Sequence, residues 1–352
     1  MAGIGNQASS WRGGDGCALR SRDAGTSSCA SLAGQQGRRG EVFFLDAFRR
    51  VPPAVDMWRR CRGRLAGWVG MAVCAVALAL AAAWLLLSRP WDQSLARLLE
   101  TGVIRIGYAN EAPYAFLRPD GEVSGHTPEL ARRVVERLGI RHVEWRVTEF
   151  SALIGELEDG HIDVIAAGMF ITPERAQRVQ FSEPIFHVGQ ALLVAKGNPK
   201  GLHSYADALG RPEVRLAALT GAVEATLLEQ LGLPASQRVL MPDVATGRAA
   251  VEAGLVDGLA LTTPSIDWMV RQDRSGKTER ATPFSQTLPR ELGCHGYGAF
   301  AFRKEDRALL DAWNTHQAEL LQDREFQVLI QEFGFTRNEL PGLAKTREIL
   351  AQ

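Results

Sequence analysis

Residues 162–175, IDVIAAGMFITPER, carry a pattern from which the fold class can be predicted. It opens with an apolar, β-branched run from Ile162 to Ala167, which is typical of a buried strand. Thr172 followed by Pro173 then predicts the start of a helix, since Thr is a favoured N-cap and Pro is tolerated at the first helical position. A strand, a loop and a helix in this order form one β-α unit.

Similar strand and helix patterns lie on both sides of this unit. They occupy residues 103–108, 128–139, 143–147 and 151–157 before it, and 214–219, 224–231, 246–253 and 258–261 after it. Such alternation predicts the α/β class, with parallel sheets and right-handed crossovers. The second set begins after residue 194, so we expect two α/β lobes joined by short strands across a hinge. Two amphipathic helices between residues 307 and 333 must pack somewhere on this framework.

The composition excludes several classes of protein. With 46% hydrophobic and 23% charged residues, the 352-residue chain is globular rather than fibrous. Its net charge of zero combines eleven arginines against five acids in residues 1–64 with 29 basic and 35 acidic residues after them. An acidic later part without a basic, aromatic-rich patch argues against a nucleic-acid surface. Only Cys294 of the five cysteines lies in the predicted folded part, so we expect no disulfide framework, metal site or cofactor.

Residues 65–87, LAGWVGMAVCAVALALAAAWLLL, form a 23-residue run without a charge. A helix of this length spans the ~30 Å hydrocarbon core of a bilayer. Four arginines at 59–64 precede it, so the positive-inside rule places the folded part outside the cytoplasm. We therefore expect residues 57–88 to be a signal peptide or, given the length of the run, an uncleaved signal anchor. Residues 1–56 have the composition of a disordered tail, or arise from a start codon misread upstream of Met57.

Candidate site residues follow from the position of strand ends. Ligands bind open parallel sheets beyond the carboxyl ends of the strands. In the first lobe this rule selects Glu111 and Tyr114 after the first strand, Phe150 after the second, and residues 170–175 after the third. One acid, three aromatic rings and one arginine should therefore meet at one edge of the sheet.

This set of side chains suits a small zwitterion. Arg175, in the first turn of its helix beside free backbone N–H groups, fits a carboxylate. The rings of Tyr114, Phe150 and Phe170 offer π faces to an organic cation, and Glu111 neutralises its charge. Each residue also has an ordinary structural role open to it: the arginine in a surface ion pair, the phenylalanines in the core and the glutamate in solvent.

Six motifs in the later part of the chain resemble those of a known family. They are GVIRIG at 102–107, DG at 120–121 with Gly125, DGHID at 159–163, ITPER at 171–175, FSEP at 181–184 and GYGAFAFRK at 296–304. Residues 95–335 resemble the extracellular solute-binding proteins of polar amino-acid-type ABC importers, which have the bilobal type II periplasmic binding fold. The resemblance implies that residues 95–187 and 297–340 form lobe I and residues 190–290 form lobe II, with hinge crossings near 183–190 and 293–298.

The same resemblance implies a function without chemistry. It indicates a monomeric binder outside the cytoplasm, tethered to the inner membrane if residues 65–87 are retained, that delivers its ligand to a membrane permease. Arg175 would grip the ligand carboxylate. Phe170 stands where amino-acid binders usually have Ser, and Thr262 where they usually place an Asp for the α-ammonium group. Both differences argue against a standard α-amino acid.

The pattern is closer to the branch that binds ectoine and hydroxyectoine. Its counterparts here are GMFI at 168–171, NEAPY at 110–114 and Phe150. By that resemblance the three rings would cage the ligand ring, Glu111 and Glu224 would meet its delocalised cation, and Arg175 would hold its carboxylate. The remaining members of the expected site are Gly168, Thr172 and Thr262. Val223 stands where the branch often has Asn, which leaves the choice among cyclic and quaternary zwitterions open.

Two other functions are compatible with this fold. Cyclohexadienyl and arogenate dehydratases share it, and Glu224 would then be a catalytic acid. The run LTGAVE at 219–224 differs from the Gly-Gly-Thr-Asn-Glu-like run of those enzymes, so we expect no enzyme. A membrane-tethered sensory domain is the third possibility, and it would need a partner protein to signal.

Overall fold

The computed structural model describes residues 70–84, 92–286 and 296–351. Residues 70–84 form a helix with exposed side chains. Within the described residues, no helix is both long and apolar enough to cross a membrane. The predicted tail at 1–56, Cys294 and the two ends of the predicted membrane segment lie outside the described residues, so the expectation of a signal or anchor stays a prediction.

Strands and helices alternate along residues 94–349. The strands are β1 (Val103–Tyr108), β2 (Phe116–Leu117), β3 (Val123–Ser124), β4 (His142–Val147), β5 (Val164–Ile165), β6 (Gln180–Phe181), β7 (Phe186–His187), β8 (Gln190–Ala195), β9 (Leu216–Leu219), β10 (Arg238–Met241), β11 (Gly258–Thr262), β12 (Thr278–Arg280), β13 (Tyr297–Gly298) and β14 (Ala301–Phe302). The helices are α1 (Ser94–Thr101), α2 (His126–Leu138), α3 (Leu153–Glu158), α4 (Pro173–Ala176), α5 (Val223–Gln230), α6 (Val244–Glu252), α7 (Thr263–Gln272), α8 (Arg307–Gln322), α9 (Arg324–Glu332) and α10 (Thr346–Ile349).

Two five-stranded sheets confirm the prediction of two α/β lobes. The sheet of lobe I has the order β4-β1-β5-β14-β6, and that of lobe II has the order β10-β9-β11-β8-β12. Between them β7 pairs with β13 in an antiparallel ribbon, with Tyr297 opposite His187. This ribbon joins the lobes in the region where the sequence predicts the hinge.

The predicted parallel pairing is confirmed for β4-β1-β5 and β10-β9-β11, but it does not extend to the rest of either sheet. In lobe I, β14 is antiparallel to both β5 and β6, and in lobe II, β8 is antiparallel to β11 and β12. Both β8 and β14 enter their sheet directly from the crossing ribbon. A strand that enters from the crossing ribbon begins where the parallel strands end, as the pairing of Gln190 with Thr262 shows, and so it runs against them.

The C-terminal helices pack on lobe I. Helix α8 lies against α1 and α2, and its Trp313 is fully buried, 5.0 Å from the ring centroid of Phe300 and 5.4 Å from that of Phe302. Helix α2 ends at Gly139, whose left-handed conformation is the usual helix stop for glycine. The two amphipathic helices expected at 307–333 therefore complete the core of the first lobe.

A buried carboxylate ties three distant segments of lobe I together. Asp163, at the start of β5, lies 3.2 Å from Arg97 of α1, 2.9 Å from Arg105 of β1 and 3.1 Å from Arg303, which follows β14. Burial opposes its ionisation, but hydrogen bonds from Arg105 and Arg303 outweigh burial and lower its pKa. The DGHID motif thus supplies a structural charge at the start of β5, opposite to the strand end at which a ligand is expected.

Candidate functional site

A small cavity lies between the two lobes, where the strands of both sheets end. Its free volume is about 30 Å³, room for one or two water molecules. The residues that line it are Glu111, Tyr114, Phe150, Gly168, Phe170 and Arg175 of lobe I with Ala222, Val223, Glu224, Leu261 and Thr262 of lobe II. We call this cavity the cleft.

Arg175 bridges the lobes at one side of the cleft. It belongs to the short helix α4, whose N-cap Thr172 accepts a hydrogen bond from the Arg175 backbone N–H at 3.2 Å. One guanidinium nitrogen donates to the Phe170 carbonyl at 2.9 Å, and another donates across the cleft to the Gly221 carbonyl at 2.8 Å. The guanidinium carbon lies 5.4 Å from the centroid of the Phe150 ring, which is cation–π range.

Aromatic rings form the wall of the cleft in lobe I. Tyr114 and Phe170 are almost fully buried, and Phe186 lies behind both, with ring centroids 5.0 Å and 6.0 Å away. Gly168 has a φ of +65°, and a Cβ built on it would lie 2.6 Å from the Tyr114 ring. The glycine predicted as a ligand contact therefore also gives the Tyr114 ring the space in which it lies.

Two acidic residues line the cleft, one from each lobe. Glu111 follows β1, and although part of the residue reaches the surface, its carboxyl is enclosed. Burial raises its pKa to about 7, the nearby Glu224 adds to the rise, and a hydrogen bond from Ser265 opposes it. Burial also raises the pKa of Glu224, which lies in the first turn of α5 and is 3% exposed.

The Glu224 carboxyl is incompletely paired. Gln190 and the charge of Arg175 oppose the rise of its pKa, yet neither Glu224 Oε1 nor Gln190 Nε2 has a hydrogen-bond partner of normal geometry. A buried acid with one oxygen unpaired gains from a cation or a donor placed against it. Glu111 and Glu224 thus favour the binding of a cation in the cleft, near the positively charged Arg175.

Hydroxyl groups connect the lobes on the other side of the cleft. The Tyr114 hydroxyl lies 2.9 Å from Thr262 Oγ1, and Ser265 Oγ lies 2.7 Å from Glu111 Oε1. Tyr114 and Glu111 belong to lobe I, whereas Thr262 and Ser265 belong to lobe II. The cleft is therefore bounded by contacts between lobes on both sides.

Eight of the nine residues expected at the site line the cleft. The exception is Thr172, which caps α4 and lines an open groove of about 300 Å³ next to the cleft. Sequence reasoning missed Ala222, Leu261 and Ser265, and treated Val223 only as a departure from the family pattern. Ser265 follows the end of β11 by three residues, so the strand-end rule, extended to the second lobe, would have found it.

Comparison with known proteins agrees with this architecture. Residues 104–336 match the bacterial extracellular solute-binding proteins, family 3. The chain belongs to this family. It is thus an extracellular solute-binding protein with the two-lobed type II periplasmic binding fold.

Individual members of the family differ in their ligands. A probable amino-acid ABC transporter periplasmic-binding protein of Sinorhizobium fredii is 36% identical over 236 residues, which cover 66% of this chain and 77% of that protein. The crystal structure of EhuB in complex with hydroxyectoine is 32% identical with a TM-score of 0.64, and the match covers 74% of this chain and 96% of that one.

A second similar structure is that of an ancestral amino-acid-binding protein described as a precursor of cyclohexadienyl dehydratase. It is 26% identical with a TM-score of 0.60, and the match covers 68% of this chain and 99% of the other. Proteins of this fold thus include binding proteins and the precursor of an enzyme. The identity of the ligand therefore depends on the side chains of the cleft and not on the fold.

Proposed function

We propose that the cleft binds a small ring-shaped zwitterion of the ectoine or hydroxyectoine type, for delivery to an ABC permease. The observation that supports this most is the meeting of Arg175, two buried carboxyl groups and an aromatic wall in one cavity between the lobes. A zwitterion with a carboxylate and a delocalised cation has one partner for each of these groups. The similarity to EhuB in complex with hydroxyectoine adds support.

Each end of the ligand replaces contacts that the cleft makes within itself. Arg175 now donates to two backbone carbonyls, and a ligand carboxylate in their place gains a charge-assisted, bidentate partner. Glu111 and Glu224 receive the cation, which lowers the cost of their ionisation in a buried site. The rings of Tyr114, Phe150 and Phe170 cover its flat faces.

Two features disfavour a linear α-amino acid. Thr262 is neutral, and its hydroxyl is already hydrogen-bonded to Tyr114 and Ser265, so it offers no carboxylate to an α-ammonium group. The buried ring of Phe170 narrows the cleft beside Arg175. The groups that favour a cation are instead Glu111 and Glu224, and such a pair suits a positive charge that is shared between two nitrogens.

Capture requires movement of the lobes. A free volume of about 30 Å³ is too small for a ring with a carboxylate, so the ligand enters only when the lobes separate. Closure then depends on contacts that the ligand makes with both lobes at once. We propose residues 95–187 with 297–340 and residues 190–290 as the two moving lobes, and the β7–β13 ribbon as part of the hinge.

We further propose that residues 65–87 hold the protein at the outer face of the cytoplasmic membrane. A retained apolar run would keep the binder near its permease and raise its local concentration. Cell fractionation of the native protein tests this. Recovery of a protein that starts near residue 90 from the soluble periplasmic fraction would contradict the anchor while leaving the binding proposal intact.

Calorimetry of the purified full-length protein tests the ligand. We expect saturable binding of ectoine or hydroxyectoine in the micromolar range, which corresponds to about −8 kcal/mol, and none of glutamate or arginine. Arg175→Ala should abolish binding, whereas Arg178→Ala, which removes an exposed arginine paired with Glu158, should leave it unchanged. Phe170→Ser should weaken ring ligands more than linear ones.

The opposite preference would refute the cage. Saturable binding of glutamate or arginine without binding of ring zwitterions would assign the cleft to standard amino acids. Incubation with prephenate serves as the enzymatic control, because conversion to phenylpyruvate at a catalytic rate would replace the binding function with dehydratase chemistry.

A further inference from the structure

Four side chains form an unbroken hydrogen-bond chain along one side of the cleft. The Tyr114 hydroxyl lies 2.9 Å from Thr262 Oγ1, Thr262 Oγ1 lies 3.2 Å from Ser265 Oγ, and Ser265 Oγ lies 2.7 Å from Glu111 Oε1. All three hydroxyl-bearing residues are at most 5% exposed. We call this chain the hydroxyl relay.

The polarity of the relay is determined at its acidic end. When Glu111 is ionised its carboxylate can only accept, and Ser265 then donates its single proton to Glu111. Ser265 therefore accepts from Thr262, which in turn accepts from Tyr114. Burial keeps the pKa of the Tyr114 hydroxyl well above its ordinary value, so Tyr114 retains the proton that it donates. Thr262 and Ser265 each donate once and accept once along the chain, and Tyr114 donates at its start.

Thr262 gives up a usual role in order to take part. It occupies the N-cap position of α7, where a Thr hydroxyl normally accepts from a backbone N–H of the first turn, yet it makes no capping hydrogen bond. The two contacts of its side chain are Tyr114 and Ser265, which indicates that the relay satisfies the hydroxyl in place of the helix.

The relay crosses between the lobes twice. Tyr114 and Glu111 come from the loop after β1 in lobe I, while Thr262 and Ser265 come from the end of β11 and the start of α7 in lobe II. Separation of the lobes breaks the two outer hydrogen bonds and leaves the Thr262–Ser265 bond intact. The relay thus forms only when the lobes are together.

We propose that Ser265 is a positioning residue that holds the Glu111 carboxylate against the cleft and couples its orientation to closure of the lobes. This inference rests on the proposed function, because it assigns Glu111 to the ligand cation. Ser265 does not line the cleft itself, so it acts on the ligand through Glu111. This indirect arrangement differs from a cleft in which an acid at position 262 would contact the ligand directly.

The effect of removing the Ser265 hydroxyl on the pKa of Glu111 depends on the charged and titratable groups around the relay. The charge of Glu224 of α5 raises the pKa of Glu111. The charges of Glu111, Glu224 and Glu339 raise the pKa of Tyr114. Among these groups Ser265 is the neutral donor that favours the ionised form of Glu111. Without this donor the carboxyl should hold its proton to higher pH and accept a cation less readily.

The experiment compares Ser265→Ala with the wild type in the full-length protein, with ectoine as the probe. We expect the Kd to rise roughly tenfold, the scale for one hydrogen bond to a charged group. We also expect the pH midpoint of binding to move upward. Thr278→Val is the matched control, since Thr278 is a buried hydroxyl of lobe II that hydrogen-bonds to Asp273 away from the cleft. It should change neither quantity.

A second measurement needs no ligand. Fluorophores on the two lobes report the closed population in buffer, and both Ser265→Ala and Tyr114→Phe should reduce it, because each removes one bond between lobes. Ser265→Thr, which keeps a hydroxyl, should restore both the pH midpoint and closure. If Ser265→Ala leaves the closed population, the Kd and the pH midpoint at wild-type values, the relay has no positioning role. If ectoine fails to bind the wild type but the variants still open the lobes, the ligand proposal is wrong. The relay is then still shown to hold the two lobes together.

Discussion

Replacement of Glu111 by Gln tests whether the cleft holds a desolvated carboxyl. The pKa of Glu111 is raised from 4.5 to about 7 in the folded protein, chiefly by burial. A group whose folded pKa is raised contributes stability below its unfolded pKa and loses it as pH rises through the folded pKa. The folded wild type should therefore lose stability between pH 4.5 and 7.

The size of the effect follows from the shift. A difference of about 2.5 pKa units corresponds to about 3 kcal/mol, at 1.36 kcal/mol per unit. This is an upper limit, because separation of the lobes hydrates the carboxylate without unfolding the protein. Gln has nearly the same shape and still accepts a hydrogen bond from Ser265, so Glu111→Gln removes the charge and little else.

Urea unfolding of both proteins at pH 5 and pH 8, without ligand, measures the prediction. Glu111→Gln should be more stable than the wild type at pH 8 by up to about 3 kcal/mol and nearly equal to it at pH 5. Added ectoine should stabilise the wild type more than the variant. Glu122→Gln, an exposed acid on the adjacent β2–β3 hairpin, is the control and should change neither stability. A Glu111→Gln protein that is equally or less stable at pH 8 would show that the carboxylate is not desolvated.

Three further predictions concern the surroundings of the cleft. Gly168→Ala should lower the free energy of unfolding by about 2–4 kcal/mol in urea titrations, because the new methyl group strains a positive φ and meets the Tyr114 ring; an unchanged midpoint would contradict the tight approach. His126 is fully buried, and both its ring nitrogens lack a hydrogen-bond partner. Because burial lowers its pKa to about 3, the free energy of unfolding should fall by about 5 kcal/mol as the pH drops from 6.5 towards 3 and below. His126→Phe should remove that dependence in acid unfolding, and an equal slope in both proteins would refute it. Asp163→Asn should cost about 3–5 kcal/mol in thermal or urea unfolding, because it leaves the buried Arg303 without one of its carboxylate partners, whereas a loss below 1 kcal/mol would mean that the ion cluster adds little.

Much of the fold could be predicted from local pattern. Helix boundaries such as the Thr172 cap and the Gly139 stop depend on a few neighbouring residues, so they can be recognised along the chain. The rule that ligands bind at strand ends requires only the position of each strand, and it is sufficient to predict Tyr114, Phe170 and Arg175 at the cleft. These features are local because short-range steric and hydrogen-bonding preferences produce them.

Strand direction and the second half of the cleft were not accessible in this way. The antiparallel course of β8 and β14 depends on where the chain re-enters a sheet after crossing between lobes, and the residues of these strands carry no mark of direction. The role of Ser265 depends on a hydrogen bond to Glu111, 154 residues away in the chain. The strand-end rule can select the position of Ser265, but no sequence pattern shows that its hydroxyl donates to Glu111.

The sequence by itself determined the α/β class, the family, and the residue types that a zwitterion would need, because periodicity, caps and strand ends are properties of neighbouring residues. Only the tertiary structure decided which of those residues meet, how far their carboxyl groups are desolvated, and which hydroxyls join the lobes. Those properties depend on the close approach of two separately folded sheets, and burial of charge between them changes its free energy by more than any local preference.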